Sequence, residues 1–278
     1  MKIRFVHVSD LHFGPPHRSE LDDALRLWVE RERPDALLVS GDLTQRARPE
    51  QFEAARRYLE SFSLPQVVVP GNHDISWWRF QERLLDPMRS YARYFSSLLE
   101  PALQLPYAWI FGLNTAKGFT VKNGIFREEA LQRLEAFFQR APSNVLRVVV
   151  AHHHLLPAPG PFLDPVATRA REAVYSFNRA KIDLVTAGHL HHGFLSQVRD
   201  YFPGLAHRTL VVHAGTSMSS RGRGPEHGLN SLNLIAVDDE QITIDQCRHV
   251  GGEMLFESVA RYTFPRAGSG LAPKPQYP

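Results

Sequence analysis

Pro70-Gly71-Asn72-His73-Asp74 follows a short apolar run, Val67-Val68-Val69. The run reads as a buried strand. Pro and Gly end it and turn the backbone sharply. An amide, an imidazole and a carboxylate then stand at a strand's carboxyl end, the edge where open α/β sheets bind ligands. Four other stretches have the same form. Residues 3–8 lead to Ser9-Asp10-Leu11-His12, and residues 36–39 lead to Ser40-Gly41-Asp42. Residues 145–150 lead to Ala151-His152-His153-His154, and residues 182–187 lead to Gly188-His189-Leu190-His191-His192.

The segments between these runs are helical in pattern. Leu21, Leu25 and Trp28 recur at helix spacing behind Ser19, a candidate N-cap, and Pro34 stops the helix. Phe52, Ala55, Leu59 and Phe62 mark a second helix over 49–62. Strand, helix, strand, helix, strand implies right-handed crossovers and a largely parallel sheet, so the fold class is α/β. Residues 76–105 read as broken helix stopped at Pro87 and Pro101, rich in aromatics from Trp77 to Phe95. They serve either as a helical cap over the site or as core packing of an inserted helix pair. A strand over 107–113, ending at Asn114 and Thr115, and helices over 127–140 and 167–180 follow. Strands over 209–212, 231–237 and 241–247 with short connections read as antiparallel hairpins, a second sheet or the edge of one. One domain spans 1–250. Residues 251–278 are a partly irregular extension, frayed from about 267.

Composition narrows the function. The 278 residues are 43% hydrophobic and 22% charged, those of an ordinary soluble protein. Net charge is only +3, from 32 basic and 29 acidic residues, too little to indicate a stable nucleic-acid or membrane partner. A single cysteine, Cys247, excludes an intrachain disulfide and a Cys-rich zinc site. No apolar stretch has signal-peptide or transmembrane length, so a cytoplasmic location is expected. Histidine is abundant, at 14 residues, and bunched at the strand ends.

Those ends supply Asp10, His12, Asp42, Asn72, His73, His152, His189 and His191. Carboxylate, amide oxygen and neutral imidazole together suit Mn²⁺ first, and Fe, Zn²⁺ or Mg²⁺, over soft metals. Without His73 there are enough donors for two divalent ions, with Asp42 shared. Two ions about 3.5–4 Å apart activate water and clamp a phosphoryl group.

Asp10-x-His12, Gly41-Asp42, Gly71-Asn72-His73-Asp74, His152-His153 and Gly188-His189-x-His191 resemble, in order, the calcineurin-like metallophosphoesterase superfamily. The resemblance covers residues 1–237. It implies a four-layer α/β/β/α sandwich with two mixed sheets. It implies that Asp10, His12, Asp42 and His191 hold one ion, and that Asp42, Asn72, His152 and His189 hold the other. A bridging hydroxide would attack phosphorus in line. His73 would act as general acid or phosphoryl donor, oriented by Asp74. The family ligand opens its His-His pair, so His152 is taken as ligand. Leu155 and Leu156 delay the Pro that follows in the family, so His153 stays open as the alternative, or as a substrate contact.

On the substrate side, the basic loop Ser219-Ser220-Arg221-Gly222-Arg223-Gly224 offers Arg221 or Arg223 for phosphate. His17 and Arg46 are candidates for the rim. The leading expectation is a phosphodiesterase resembling the class III cyclic-nucleotide and glycerophosphodiester branch. Its substrate would be a small phosphodiester or nucleotide-linked molecule, and a homodimer is left open. The alternatives are a UDP-diacylglucosamine-type pyrophosphohydrolase and a DNA nuclease. A non-catalytic scaffold is disfavoured because every matched ligand is present.

Overall fold

The computed structural model describes residues 2–76, 79–118, 122–159, 164–251 and 256–266. The chain begins with β1 (Ile3–Val8), α1 (Glu20–Glu32), β2 (Ala36–Val39), α2 (Pro49–Glu60) and β3 (Gln66–Val68). A 3₁₀ turn over Asn72–Asp74 follows, then α3 (Phe80–Leu85), α4 (Arg89–Tyr94), β4 (Ala102–Gln104) and β5 (Ala108–Leu113). Next come α5 (Glu128–Gln139), β6 (Leu146–Ala151), α6 (Ala170–Arg179) and β7 (Leu184–Ala187). The chain continues through β8 (Phe194–Gln197), α7 (Val198–Tyr201), β9 (Leu210–His213), β10 (Ser231–Val237), β11 (Gln241–His249) and β12 (Phe256–Pro265).

Alternation along the strands builds four layers. Side chains of a strand point alternately to its two faces. Ile3 and Phe5 of β1 join Ala36 and Leu38 of β2, Ile110 of β5 and Val148 and Val150 of β6 in one apolar layer between two sheets. Val6, Val8, Leu37 and Val39 point the other way, onto Leu25 and Trp28 of α1 and Phe52 and Leu59 of α2. Phe111, Leu113 and Val149 face Leu134 and Phe138 of α5 and Phe177 of α6. Each fully buried side chain of this size contributes about 1.5–3 kcal/mol. Both sheets have six strands, ordered β12-β11-β10-β1-β2-β3 and β4-β5-β6-β7-β9-β8. Each is mixed: β1, β2 and β3 run parallel, as do β5, β6, β7 and β9, with antiparallel strands outside them.

The structure departs from expectation in several places. The late hairpin β10–β11 does not make a second sheet. It completes the first, pairing antiparallel with β1 through contacts such as Phe5 with Ile235. The second sheet instead opens at β4 and β5. Residues 256–265, expected within an extension, form the edge strand β12 along β11. The tail from 267 lies outside the described residues. Ser19 does not cap α1: it is itself in the right-handed helical region and makes no side-chain capping bond. Within 76–105, Tyr91 is fully buried and packs edge-on against Phe52 with ring centroids 5.9 Å apart. α4 therefore belongs to the first helical layer. Trp77 and Trp78 lie outside the described residues. Among the described residues no helix is long and apolar enough to cross a membrane.

Candidate metal centre

The carboxyl ends of β1, β2 and β3 in one sheet meet those of β6 and β7 in the other. The turns there are conformationally costly. Nine non-glycine residues among those described have positive φ, and five of them are Asp10, His12, Asp42, His189 and His191. Each such left-handed residue costs on the order of 1–3 kcal/mol. The bends are stitched together by main-chain bonds, Asp10 N–H to Gly41 O at 3.0 Å and His12 N–H to Asp42 O at 3.0 Å. Two glycines permit the approach. A Cβ on Gly71 would overlap the Asp42 carboxylate, and one on Gly188 would overlap Ser9 Oγ.

Two groups of donors result. Asp10, His12, Asp42 and His191 are buried and close enough to share one ion. His191 Nε2 lies 3.1 Å from Asp10 Oδ1 and 3.3 Å from His12 Nε2, and His12 Nε2 lies 3.8 Å from Asp42 Oδ2. The other Asp42 oxygen, Oδ1, faces His152 Nε2 at 3.4 Å. Asn72 Oδ1 stands 3.1 Å from His152 Nε2 and 2.9 Å from His189 Nδ1. Asp42 thus presents one oxygen to each group.

The donor set fits a cation. Asp10 Oδ1 is buried and accepts no hydrogen bond. His191 Nδ1 donates to the Arg221 carbonyl at 2.8 Å, and His152 Nδ1 donates to the Ser40 carbonyl at 2.7 Å. When neutral, both rings therefore carry their proton on Nδ1 and present a bare Nε2, the tautomer a metal ligand needs. An orphaned carboxylate oxygen facing bare imidazole nitrogens is unfavourable when buried, and a cation satisfies it.

The electrostatics agree. Burial raises the Asp10 carboxyl, but His191 and His12 outweigh it and hold the group well below the usual carboxylate range. Asp42 is lowered in the same way, with His152 and His73 overcoming burial. Burial takes His12 down to about 4, so its ring is neutral near pH 7. Burial also lowers His152, yet the Asp42 carboxylate prevails and brings it up to about 9. A proton there occupies the place of a competing cation.

His73 stands at the rim, edge-on to His12 with centroids 4.8 Å apart. Its Nδ1 donates to the Gln45 carbonyl at 2.8 Å, and its main-chain N–H donates to Asp42 Oδ1 at 2.8 Å. Asp74, expected to orient His73, is turned elsewhere. Its carboxylate accepts from Leu43 N–H, Thr44 N–H, Thr44 Oγ1 and Gly71 N–H, at 2.9–3.1 Å. It clamps the loop that carries Asp42. Burial and the nearby Asp42 push it up to about 7, against those donors.

His153 is close enough to His152 and His189 to share an ion with them; its Nδ1 pairs with Thr115 Oγ1 at 2.8 Å and its buried Nε2 makes no hydrogen bond. The two arginines differ. Arg221 Nη1 donates to Gln45 Oε1 at 3.0 Å, whereas Arg223 is exposed and paired with Asp164 at 3.2 Å. His17 is stacked on Phe13 at 4.0 Å and bonded to Asp22 at 2.8 Å, and its main chain bridges to Ser219. Gln45 is not marked by the sequence pattern, and Ser40 and Thr115, which stand at strand ends, carry no role there. The first two act on histidines through main-chain carbonyls, which carry no residue signature.

The two-sheet sandwich thus carries two Asp/His/Asn groups at its strand ends, joined through Asp42. The calcineurin-like phosphoesterase profile matches residues 3–193, and the chain belongs to that family. Family and buried cluster together mark a binuclear divalent metal site. The chain is 26% identical over 230 residues to glycerophosphodiester phosphodiesterase GpdQ of Enterobacter lignolyticus, covering 76% of this chain and 80% of that protein. It is 27% identical over 213 residues to 3',5'-cyclic adenosine monophosphate phosphodiesterase CpdA of Haemophilus influenzae, covering 72% and 73%. Purple acid phosphatase PPD1 from yellow lupin shares the fold with a TM-score of 0.74 and 13% identity. That match covers 96% of this chain and 54% of the lupin chain.

Proposed function

We propose that the chain hydrolyses small phosphodiesters at a binuclear centre. Asp10, His12, Asp42 and His191 hold one ion, and Asp42, Asn72, His152 and His189 hold the other. The observation that carries this reading is Asp42, whose two oxygens face the two donor groups. His152 is preferred to His153 because its Nε2 faces both Asp42 and Asn72. Oxygen and imidazole donors favour Mn²⁺, with Fe, Zn²⁺ or Mg²⁺ as substitutes. Two bound ions lower the pKa of a water and neutralise phosphoryl charge.

The chain's own residues do the rest. His73, as imidazolium, keeps Nδ1–H on the Gln45 carbonyl and donates Nε2–H to the departing ester oxygen. Asp74 keeps the Asp42 loop in place. Arg221 meets a phosphoryl or ester oxygen through its guanidinium. Arg223, tied to Asp164, is the weaker candidate, and His153 lines the wall beside the second group. A diester is favoured because relatives matched over most of their length carry phosphodiesterase names. Neither a lipid pyrophosphate nor DNA is needed to account for the site. We place the enzyme in the cytoplasm.

The test compares Mn²⁺-loaded protein on bis(p-nitrophenyl) phosphate and p-nitrophenyl phosphate. Faster turnover of the diester is expected, with Asp42→Ala losing about 10³-fold or more together with bound metal. Undiminished turnover in Asp42→Ala, or a preference for the monoester, would overturn the reading.

A further inference from the structure

We infer that Gln45 and Arg221 are a positioning pair that fixes His73 and His191 relative to each other; this rests on the reading of the site given above. The Gln45 carbonyl accepts from His73 Nδ1 at 2.8 Å. The Gln45 side-chain Oε1 accepts from Arg221 Nη1 at 3.0 Å. The Arg221 carbonyl accepts from His191 Nδ1 at 2.8 Å. One chain of contacts therefore spans the rim from His73 through Gln45 and Arg221 to His191. Each end is an imidazole tied by Nδ1, leaving Nε2 for the chemistry.

The pair joins two loops distant in sequence. The first is anchored by Gln45 N–H on Phe13 O at 3.0 Å and Arg46 N–H on Gln51 Oε1 at 2.9 Å. The second is anchored by Ser220 N–H on Pro16 O at 2.9 Å and Arg223 N–H on His191 O at 3.1 Å. Between these anchors, the Gln45–Arg221 bond is the side-chain tie across the rim. It uses one edge of a half-buried guanidinium. The other edge is left for the ester group, and an arginine fork held this way loses little freedom on binding. The expected consequence is specific: the pair aligns His73 and the ester oxygen that leaves. A misplacement of about 1 Å at such a contact costs up to about 10²-fold in rate.

The experiment measures kcat, KM and metal content for Gln45→Ala, Arg221→Ala, the double variant and Gln45→Glu, all Mn²⁺-loaded. The substrates are a series of aryl phosphodiesters whose leaving phenols range from acidic to weakly acidic. Each single alanine variant is expected to lose about 10-fold or more in kcat, with two ions retained. The double variant should be no slower than the slower single, because the two act as one unit. The deficit should grow as the phenol becomes less acidic. Gln45→Glu, which keeps an acceptor for Arg221, should recover most of the rate. Additive losses, a uniform deficit across phenols, or no recovery in Gln45→Glu would overturn the pair. A parent protein that binds no metal or turns over no diester would instead overturn the reading of the site. The pair then stands or falls on imidazole ¹⁵N spectra. Arg221→Ala should perturb the His73 Nδ1–H signal, and an unchanged signal refutes it.

Discussion

The layer between the sheets and the edge above it are built by opposite rules. Phe5, Leu38, Val67, Ile110 and Val148 are fully buried on regular strands, with nothing polar to satisfy. A few residues further along the same strands, Asp10, His12 and Asp42 are as deeply buried, on left-handed backbone. There, Asp10 Oδ1 is left without a hydrogen bond. The first region supplies stability and contains no chemistry. The second stores strain and unmet polarity, which the first must hold in place. Stability and function are therefore separable along each strand, and substitutions can test how cleanly.

The largest effect belongs to the core. Leu38→Ala should lower unfolding free energy by about 2–5 kcal/mol. Denaturant titration reads this, while turnover per folded molecule stays near that of the parent. A matching loss of turnover would break the separation. Gly188→Ala should do the reverse: its Cβ would press on Ser9 and Asp10. Turnover should fall about 10²-fold, with far-ultraviolet circular dichroism unchanged.

His7 tests the border between the regions. It lies on β1, fully buried, 2.8 Å from Ser40 Oγ, and burial lowers it to about 3. The unfolded chain takes up this proton below pH 6.5 and the folded chain does not. Stability is therefore present above pH 6.5 and lost as pH falls toward 3. The loss from this one group is about 1.4 kcal/mol by pH 5.5. His7→Gln should flatten the acid side of the stability curve by that amount, and an unchanged slope would place the acid sensitivity elsewhere. Arg223→Ala should have the smallest effect. Its pair with Asp164 is exposed, so stability should move by less than about 0.5 kcal/mol.

The sequence shows most of the site because each donor follows an apolar run and a turn, a pattern set by the strand itself. The metal-type residues from Asp10 to His191 are legible for that reason. Sheet membership is not: β10 pairs with β1 across most of the chain, and nothing local to Ser231–Val237 announces it. β4 was missed because Ala102 and Gln104 are exposed on a three-residue edge strand without apolar alternation. Asp74 was given the wrong neighbour because composition does not say where a carboxylate points. Gln45 was invisible because its carbonyl does half its work.

The centre also has a history within each molecule's synthesis. Asp10, His12, Asp42 and Asn72 belong to the first sheet, and His152, His189 and His191 to the second. A chain emerging from the ribosome exposes four donors well before the remaining three exist. Its first sheet stays without β10 until residue 237 has been made. Metal capture by both groups is thus deferred until residue 191 has been made, and a chain truncated before residue 189 would lack His189 and His191, one candidate donor from each group.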